Sequence, residues 1–266
     1  MKVFLQLAVF LFGVSSALSA LAAGVLETVR GDVRAGISAA AASAAKVSQR
    51  VSSAMTVTTG PKSSALIRFE DGQAIALHEN SEFRIAEYSF AKDQPAKDKF
   101  GFELLKGALR SVTGTATRRT PDAYTLKTAT ATMGIRGTDF MVAIVNPVYF
   151  SVVNGAITVS NTAGAVSFAA GAAGTVTVPG ALAVTIPFSA LPAAVAATFS
   201  QLVGLTIVVD AAGALTATGA AQGAVTLPVG LGIAGALAAA VAAASANKEN
   251  DGQPAATSTT GTTSTR

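Results

Sequence analysis

Two carboxylates and a histidine in the first third of the chain are the residues best suited to acid–base chemistry. Asp71 and Glu79 are the kind of pair that a glycan hydrolase places on opposite sides of a bound sugar, and His78 is the only histidine. A structural role is open for each. Asp71 precedes Gly72, and an Asp-Gly pair predicts the type I′ turn of a β-hairpin. We expect His78 at a strand edge or on the surface rather than as a proton shuttle.

An arginine between two glycines forms a second candidate site. The stretch GIRGTDF places Arg136 between Gly134 and Gly137. Both glycines can adopt backbone angles closed to other residues, so we expect the chain to turn here. Arg136 either pairs with Asp139 and fixes this corner, or uses its planar guanidinium to grip a carboxylate or main chain of a partner. The structural role is favoured, because charged groups in tight turns are usually satisfied locally.

Several common classes of catalytic site are absent from the sequence. The chain has no cysteine, which excludes thiol nucleophiles, disulfides and thiolate metal sites, and one histidine cannot form a histidine cluster for a transition metal. It has no Gly-x-Ser-x-Gly elbow, and the run AAGAAG lacks the Lys-Ser or Lys-Thr of a phosphate-binding loop. We therefore expect no catalytic, cofactor or metal site, and a protein that is not an enzyme.

Charge is distributed very unevenly along the 266 residues. Residues 27–139 hold 12 of the 15 acidic and 16 of the 19 basic side chains, whereas residues 140–246 hold only Asp210. The net charge of +4 is mildly basic, aromatic residues make up 6%, and there is no tryptophan. Few rings are available for stacking on bases, so we expect no nucleic-acid partner.

The charged part shows the two-residue alternation of β-strands. In SALIRFEDGQAIALHE, Ala65, Ile67 and Phe69 fall on one face of the first strand. Further strands are predicted in FELLKGALRSV, AYTLKT, FMVAIV, VYFSVV and AITVSN, with a hairpin at Asn154-Gly155 joining the last two. The pattern predicts a mainly β fold. We expect a twisted antiparallel β-sandwich or a short solenoid-like domain, followed by an Ala/Gly-rich β extension and one or two short C-terminal helices.

The N-terminus has the three parts of a secretory signal peptide. One lysine precedes an apolar run from Val3 to Val14, and small residues follow as far as Ala23. Residues 1–23 are therefore expected to direct export, with an uncleaved membrane anchor as the alternative. The protein is expected to be periplasmic or secreted.

The C-terminal half is almost free of charge. Residues 146–187 are interpreted as an apolar β extension and residues 188–246 as an Ala/Gly-rich region with a short helix at 189–203. Residues 228–246 form a second candidate helix with small residues four apart. This helix would either associate with an inner or outer membrane as a glycine-zipper-like segment or remain outside it. The Ser/Thr-rich tail, 247–266, is expected to be disordered.

Four stretches of the chain resemble the FecR-like domain family of exported bacterial proteins. They are VTTGPKSSALIRFEDG, LHENSEFRI, LLKGALRSVTG and ATMGIRGTDF, and GVLETVRGDV resembles the opening strand of the family. Together they place a FecR-like domain at residues 24–145. The resemblance implies an all-β periplasmic domain. In the best-known members, this domain relays a signal from an outer-membrane iron–siderophore transporter to a sigma factor through an inner-membrane helix and a cytoplasmic segment.

The sequence departs from the family pattern in three places. Only Met1 and Lys2 precede the apolar run, so we expect no cytoplasmic segment and no sigma-factor partner. Ser48-Gln49 stands where a Gly-Asp pair is common in the family, and Ala129 stands where a proline is common.

The leading hypothesis is a non-catalytic exported FecR-domain protein that acts in cell-envelope sensing, signalling or protein–protein scaffolding, with envelope proteins as partners. Its candidate structural or partner-contact residues are Asp71, Gly72, Gly134, Arg136, Gly137 and Asp139. One alternative is an envelope glycan hydrolase that uses Asp71 and Glu79. Another is a surface or matrix protein that self-associates through its uncharged apolar extension.

Overall fold

The computed structural model of the protein describes residues 23–204, 206–209 and 215–218. Nearly all of the expected signal peptide at 1–23 lies outside the described residues. The candidate helix at 228–246 and the tail at 247–266 also lie outside them.

The described chain is mainly β, which confirms the predicted fold class. The strands are β1 (Gly24–Arg30), β2 (Val33–Gly36), β3 (Ser43–Ala44), β4 (Arg50–Val51), β5 (Thr56–Thr59), β6 (Ser64–Phe69), β7 (Ala74–Leu77), β8 (Glu82–Ser89), β9 (Lys99–Val112), β10 (Tyr124–Lys127), β11 (Thr132–Ile144), β12 (Val148–Asn161), β13 (Gly164–Ala169), β14 (Ala173–Val176), β15 (Val184–Ile186), β16 (Thr206–Val209) and β17 (Leu215–Thr218). The described α-helices are α1 (Thr115–Arg119) and α2 (Ala193–Gly204). Short 3-10 turns lie at Pro95–Lys97, Pro121–Ala123 and Phe188–Ala190.

The first fifteen strands form one continuous, mostly antiparallel sheet that folds into two layers. The upper layer runs β4-β1-β6-β7-β9-β11-β12-β14-β15 and uses the C-terminal halves of β9 and β11. The lower layer runs β3-β2-β5-β8-β9-β10-β11-β12-β13 and uses the N-terminal halves of β9 and β11. The long strands β9, β11 and β12 therefore belong to both layers, and only the pairing of β9 with β10 is parallel.

The main hydrophobic core lies between the two layers. Ala65, Ile67 and Phe69 all contribute to it, which confirms the alternation predicted for β6. The ring of Phe69 in the upper layer lies 5.1 Å from that of Phe102 in the lower layer, centroid to centroid. Phe102 is in turn 5.5 Å from Tyr124 of β10. These aromatic contacts join the layers where β9 passes from one to the other.

A second hydrophobic cluster lies on the outer face of the upper layer. Helix α2 contributes Val195, Phe199 and Leu202 to this cluster. The strands beneath it contribute mainly alanines: Ala74, Ala76, Ala108, Ala143 and Ala173. These small side chains leave room for the helix to approach the sheet closely, so the upper layer is buried on both faces.

The predicted helix at 189–203 begins later than expected. The structure has a 3-10 turn at Phe188–Ala190 and starts α2 at Ala193. Pro192 is the cause, because a proline disfavours the helical region for the residue before it, and Leu191 is extended with ψ of 135°. The N–H of Ala196 donates to the C=O of Pro192 at 3.0 Å, so the helix follows the proline directly.

Two predicted turns are instead parts of long strands. Asn154-Gly155 does not form a hairpin, because β12 continues through it and pairs with β11 on both sides. The chain also does not turn between Gly134 and Gly137, which lie inside β11. The register shifts between Arg136 and Phe140, and Gly137 and Gly155 have φ of 60° and 75°. Gly137 and Gly155 therefore adopt the positive φ angles of a β-bulge, and this bulge lets the paired strands bend from one layer to the other.

None of the helices that the structure describes is long and apolar enough to cross a membrane. The division into a domain at 24–145 and an extension at 146–187 stays a prediction. The sheet continues across that boundary, since β11 pairs with β12 and β12 pairs with β14.

Candidate functional site

Asp71 lies in the loop that joins β6 to β7, but this loop is not a type I′ turn. Gly72 donates its N–H to the C=O of Phe69 at 3.1 Å, and the N–H of Phe69 donates to the C=O of Gln73 at 2.8 Å. Gly72 is the only residue of the loop with positive φ, 85°, whereas a type I′ turn needs positive φ at both central residues. The predicted turn type is wrong, because the loop is longer and only its glycine enters the left-handed region.

The carboxylate of Asp71 is buried and satisfied by groups from three elements. The Tyr88 hydroxyl of β8 donates to Oδ1 at 3.1 Å, and the N–H of Gln73 donates to it at 3.3 Å. The Thr117 hydroxyl of α1 donates to Oδ2. Burial raises the pKa of Asp71 above its usual range, although these hydrogen bonds act in the opposite direction. Burial, followed by the nearby Asp71 charge, also raises the pKa of Tyr88. Asp71 therefore ties the hairpin loop to β8 and α1.

Glu79 and Asp71 are not brought together. They flank opposite ends of β7, a four-residue strand that spans about 13 Å at roughly 3.3 Å per residue. The two carboxyl groups of a glycoside hydrolase are about 5–9.5 Å apart. Glu79 is also engaged, because its Oε2 accepts a hydrogen bond from the N–H of Lys62 at 2.5 Å. The pair required by the hydrolase hypothesis is therefore not assembled.

His78 lies between two neighbouring grooves at the rim of the sheet beside α2. The larger groove, of about 410 Å³, is lined by Lys62, Ser63, Ser64, Leu77, His78, Glu79 and Gln201. The smaller, of about 240 Å³, also contacts His78 and reaches Lys106 and Val145. His78 Nε2 and Gln201 Oε1 of α2 are 2.5 Å apart. The histidine therefore contacts the covering helix, and the grooves offer a mixed polar lining rather than an assembled acid–base pair.

Asp139 binds Arg110 rather than Arg136. The Arg110 guanidinium donates through Nε to Oδ1 at 2.9 Å and through Nη2 to Oδ2 at 2.7 Å, a bidentate pair. Its Nη1 also donates to the carbonyls of Leu202 and Val203 at 3.2 and 3.3 Å. The Arg110 and Asp139 side chains are 11% and 17% exposed. One guanidinium therefore joins β9 and β11 to the last turn of α2, where carbonyls lack partners within the helix.

Arg136 is exposed, and within the described part of the chain no hydrogen bond or ion pair engages its guanidinium. The expected pair with Asp139 is wrong, because Asp139 is already held by Arg110. The other role considered for Arg136, contact with a partner, stays a prediction. Gly134 lies inside β11 rather than in a turn, and a Cβ built there meets nothing within 4 Å.

The strands that carry these residues match a known protein family. Residues 55–158 match the family model described as FecR protein. The chain contains a FecR domain. This match confirms the resemblance seen in the sequence, and it extends past residue 145 into β12. A FecR domain supports a signalling role.

Other comparisons add little to the FecR match. No curated protein matches the chain. Two crystal structures of a proposed anti-sigma factor from Parabacteroides distasonis resemble it, with 14% and 13% identity and a TM-score of 0.40 in both cases. Each resemblance covers 49% of this chain and 58% of the other, so this chain spans little more than half the length of those structures.

The FecR domain contains most of the residues that organise the site. Asp71, Arg110, Arg136 and Asp139 lie within the matched range, whereas α2 lies outside it. Sequence reasoning missed Arg110 as the partner of Asp139. A signal was available, because Arg110 is the only charged residue between Lys106 and Arg118. The roles of Tyr88 and Thr117 as partners of Asp71 had no local signal.

Proposed function

We propose that this protein is an exported, non-catalytic FecR-domain protein that senses or relays a condition of the cell envelope by contacting other envelope proteins. The observation that carries this proposal is the match of residues 55–158 to the FecR family. The proposed location is the periplasm or the cell exterior. It is supported by the apolar run and small residues that make residues 1–23 resemble a signal peptide.

The contacts of the charged side chains support a protein that acts by binding rather than by catalysis. Asp71 is enclosed by Tyr88 and Thr117, and Asp139 is enclosed by Arg110. A buried charge that is fully hydrogen-bonded is suited to holding elements in place. The groups left exposed lie on faces and grooves, where a partner can reach them.

Export is tested by fractionating cells that express the chain and sequencing the mature N-terminus. The proposal predicts a product that begins near Ala23 and is recovered from the periplasm or the medium. A full-length product in the cytosol would contradict export. A full-length product held in the membrane would favour the uncleaved anchor. Association of residues 228–246 with a membrane is tested in the same fractions.

The non-catalytic role is tested with purified peptidoglycan as the substrate. The full chain and its Glu79→Gln variant are expected to release equally small amounts of soluble glycan, at the level of a heat-denatured control. In parallel, wild-type and Glu79→Gln chains should restore the same envelope-stress transcripts to a deletion strain. Glycan release that is lost in Glu79→Gln, with folding unchanged, would overturn the proposal.

Self-association is a second candidate function, and the sheet edges favour it. Among the described strands, β13 and β15 each pair with one strand only, so they are edges of the lower and upper layers of the described sheet. Val178, Leu182 and Val184 are exposed near these edges, at 53%, 47% and 51%, and no charge interrupts this part of the chain. Uncharged edges with exposed apolar side chains favour strand pairing between copies. Light scattering on the wild type and Val184→Lys tests this function, and a monomeric wild type would contradict it.

A further inference from the structure

The outer face of the lower layer carries mostly small side chains where it is formed by β11, β12 and β13. Cross-strand register sets three rows of outward residues, which we call the floor: Thr132, Ser160 and Ala165; Gly134, Thr158 and Ser167; Arg136, Ala156 and Ala169. All are exposed or half-exposed. Arg136 is the only large side chain among them. The floor is about 10 Å wide, at roughly 4.8 Å between neighbouring strands.

Gly134 on the floor has no explanation within the described fold. Its φ is not positive, and a Cβ built on it meets nothing within 4 Å. Glycine inside a strand is less favourable than alanine, because it loses more conformational freedom on folding. Its bare backbone leaves a gap on the surface, and such gaps allow another main chain to approach closely.

Arg118 of α1 approaches β11 at the end of the floor that carries Arg136. A Cβ built on Gly137 lies 3.8 Å from Cγ of Arg118, so the stem of Arg118 passes over the residue next to Arg136. Both arginines are exposed, and no ion pair forms at either within the described residues. Of the acids nearest in sequence, Asp139 is held by Arg110, and Asp122 is exposed and makes no ion pair with described residues.

The opposite margin of the floor is closer to charge balance. Lys127 of β10 is in register with Glu103 of β9, and Glu103 forms an ion pair with Arg84 at 3.6 Å. Lys127 makes no ion pair with described residues, so this margin carries one uncompensated charge, whereas Arg118 and Arg136 bring two to the other end of the floor. Two exposed guanidinium groups at this end of the floor favour a carboxylate, because each can bind one through its planar fork.

We propose that the floor binds an acidic segment of a partner protein. A carboxylate of the segment pairs with Arg118 and Arg136, and its main chain lies over Gly134 within reach of the hydroxyls of Thr158 and Ser167. These hydroxyls are 3.0 Å apart on the exposed face. A protein segment fits better than a membrane surface, because the floor carries no large apolar side chain and no lysine cluster. This proposal rests on the proposed function in one respect, which is that the partner is met in the cell envelope.

The test uses a random library of 12-residue peptides displayed on phage and the full chain purified from expressing cells. The wild type is expected to enrich peptides with two or more Asp or Glu residues, and Arg136→Glu is expected not to. For the best synthetic peptide, Arg136→Glu should weaken Kd by about tenfold or more, because a charge-assisted bidentate contact is lost. Gly134→Val should weaken it to a similar extent by filling the gap.

The matched control is Arg34→Glu. Arg34 is exposed on the same layer, in β2, and pairs with Asp32 at 3.2 Å, so its replacement should leave Kd unchanged. A charge-swapped peptide, with Lys in place of its acids, should bind Arg136→Glu better than the wild type. Thermal melts of each variant show that the fold is retained.

The proposal is overturned if acidic peptides are not enriched, or if Arg136→Glu and Arg34→Glu bind the best peptide equally. It is also overturned if the wild type binds vesicles of anionic phospholipid more tightly than any peptide. If the chain stays in the cytosol but binds peptides in an Arg136-dependent way, the proposed function is contradicted and the proposed peptide binding by the floor is supported. If the chain is exported but shows no Arg136-dependent binding, only the proposal that the floor binds an acidic segment is contradicted.

Discussion

The outer faces of the two layers are built from similar small residues but have opposite surroundings. On the upper layer, Ala76 and Ala108 are buried beneath Phe199 of α2. On the lower layer, Ala156 and Ala169 remain open on the floor. Small side chains on a strand thus mark a place where something can approach closely. The sequence of the strand does not say whether that neighbour is the protein's own helix or another molecule.

Two arginines show the same contrast. Arg110 is buried, holds Asp139 with both arms of its fork and receives the end of α2. Arg136 lies before the bulge, in the lower layer, where it is exposed and engages no described residue. We therefore interpret Arg110 as the residue that joins α2 to the outer face of the upper layer. Arg136 is an exposed charge on the uncovered outer face of the lower layer.

The largest effect on stability is expected from removing the Arg110 side chain, which joins α2 to the upper layer. Arg110→Ala leaves Asp139 without its partner in a largely buried position and frees the carbonyls of α2. Loss of one member of a buried pair destabilises by about 3–5 kcal/mol, and we expect about 3 kcal/mol by urea unfolding. Adding Asp139→Asn should recover part of that loss, because the two residues are coupled. Arg136→Ala is the control, and a loss as large as that of Arg110→Ala would contradict the contrast.

Enlarging one alanine on each face sharpens the comparison. Ala76→Leu places a larger side chain beneath α2, where overpacking costs about 1–3 kcal/mol. Ala169→Leu adds the same atoms on the open floor, where surface changes stay within about 0.5 kcal/mol. Urea unfolding of the two variants measures the difference. Equal losses would mean that the two faces are not covered differently.

Asp71 affects the lower face through α1, which carries Arg118 and is held by the bond from Thr117. Because the pKa of folded Asp71 is raised above its usual 3.8, its contribution to stability is full below that pH. It is lost as pH rises through the folded value. Asp71→Asn should remove this fall, so the loss of unfolding free energy between pH 4 and pH 7 should be smaller in the variant than in the wild type. An unchanged pH profile would show that Asp71 is not the group responsible.

The smallest effect is expected at Gly134. Gly134→Ala should leave stability unchanged or raise it by about 0.5–1 kcal/mol, because the strand needs no glycine there. Gly155→Ala is the matched control in the neighbouring strand. Its Cβ would lie 2.3 Å from the carbonyl oxygen of Gly137 at φ of 75°, so it should cost about 1–3 kcal/mol. Thermal melts compare them, and a destabilised Gly134→Ala would indicate a structural role.

Local patterns in the sequence predicted the strands well. The alternation through Ala65, Ile67 and Phe69 depends only on strand geometry, and all three residues are in the core. Turn signals were less reliable, because pairing between β11 and β12 along their length overrides the preference of Asn154-Gly155 for a hairpin. Pro192 indicates that α2 begins after it, and the prediction of a helix at 189–203 did not take this proline into account.

The partners of the candidate residues could not be read locally. Asp139 and Arg110 are 29 positions apart, and Asp71 and Thr117 are 46 positions apart. Both pairings depend on how the long strands cross between the layers. The sequence could identify Asp139 as a residue that needs a partner, but the nearer Arg136 was the wrong choice.

Site-specific photo-crosslinking in cells tests most directly whether the lower face is the one offered to a partner. A benzophenone side chain is introduced at Ser167, on the exposed floor, or at Ala194, on the exposed side of α2. The account predicts that Ser167 yields a crosslink to another envelope protein, and that Arg136→Glu abolishes this crosslink while Arg34→Glu preserves it. It predicts no such Arg136-dependent product from Ala194. The same product from both positions, or a Ser167 product that survives Arg136→Glu, would contradict the account.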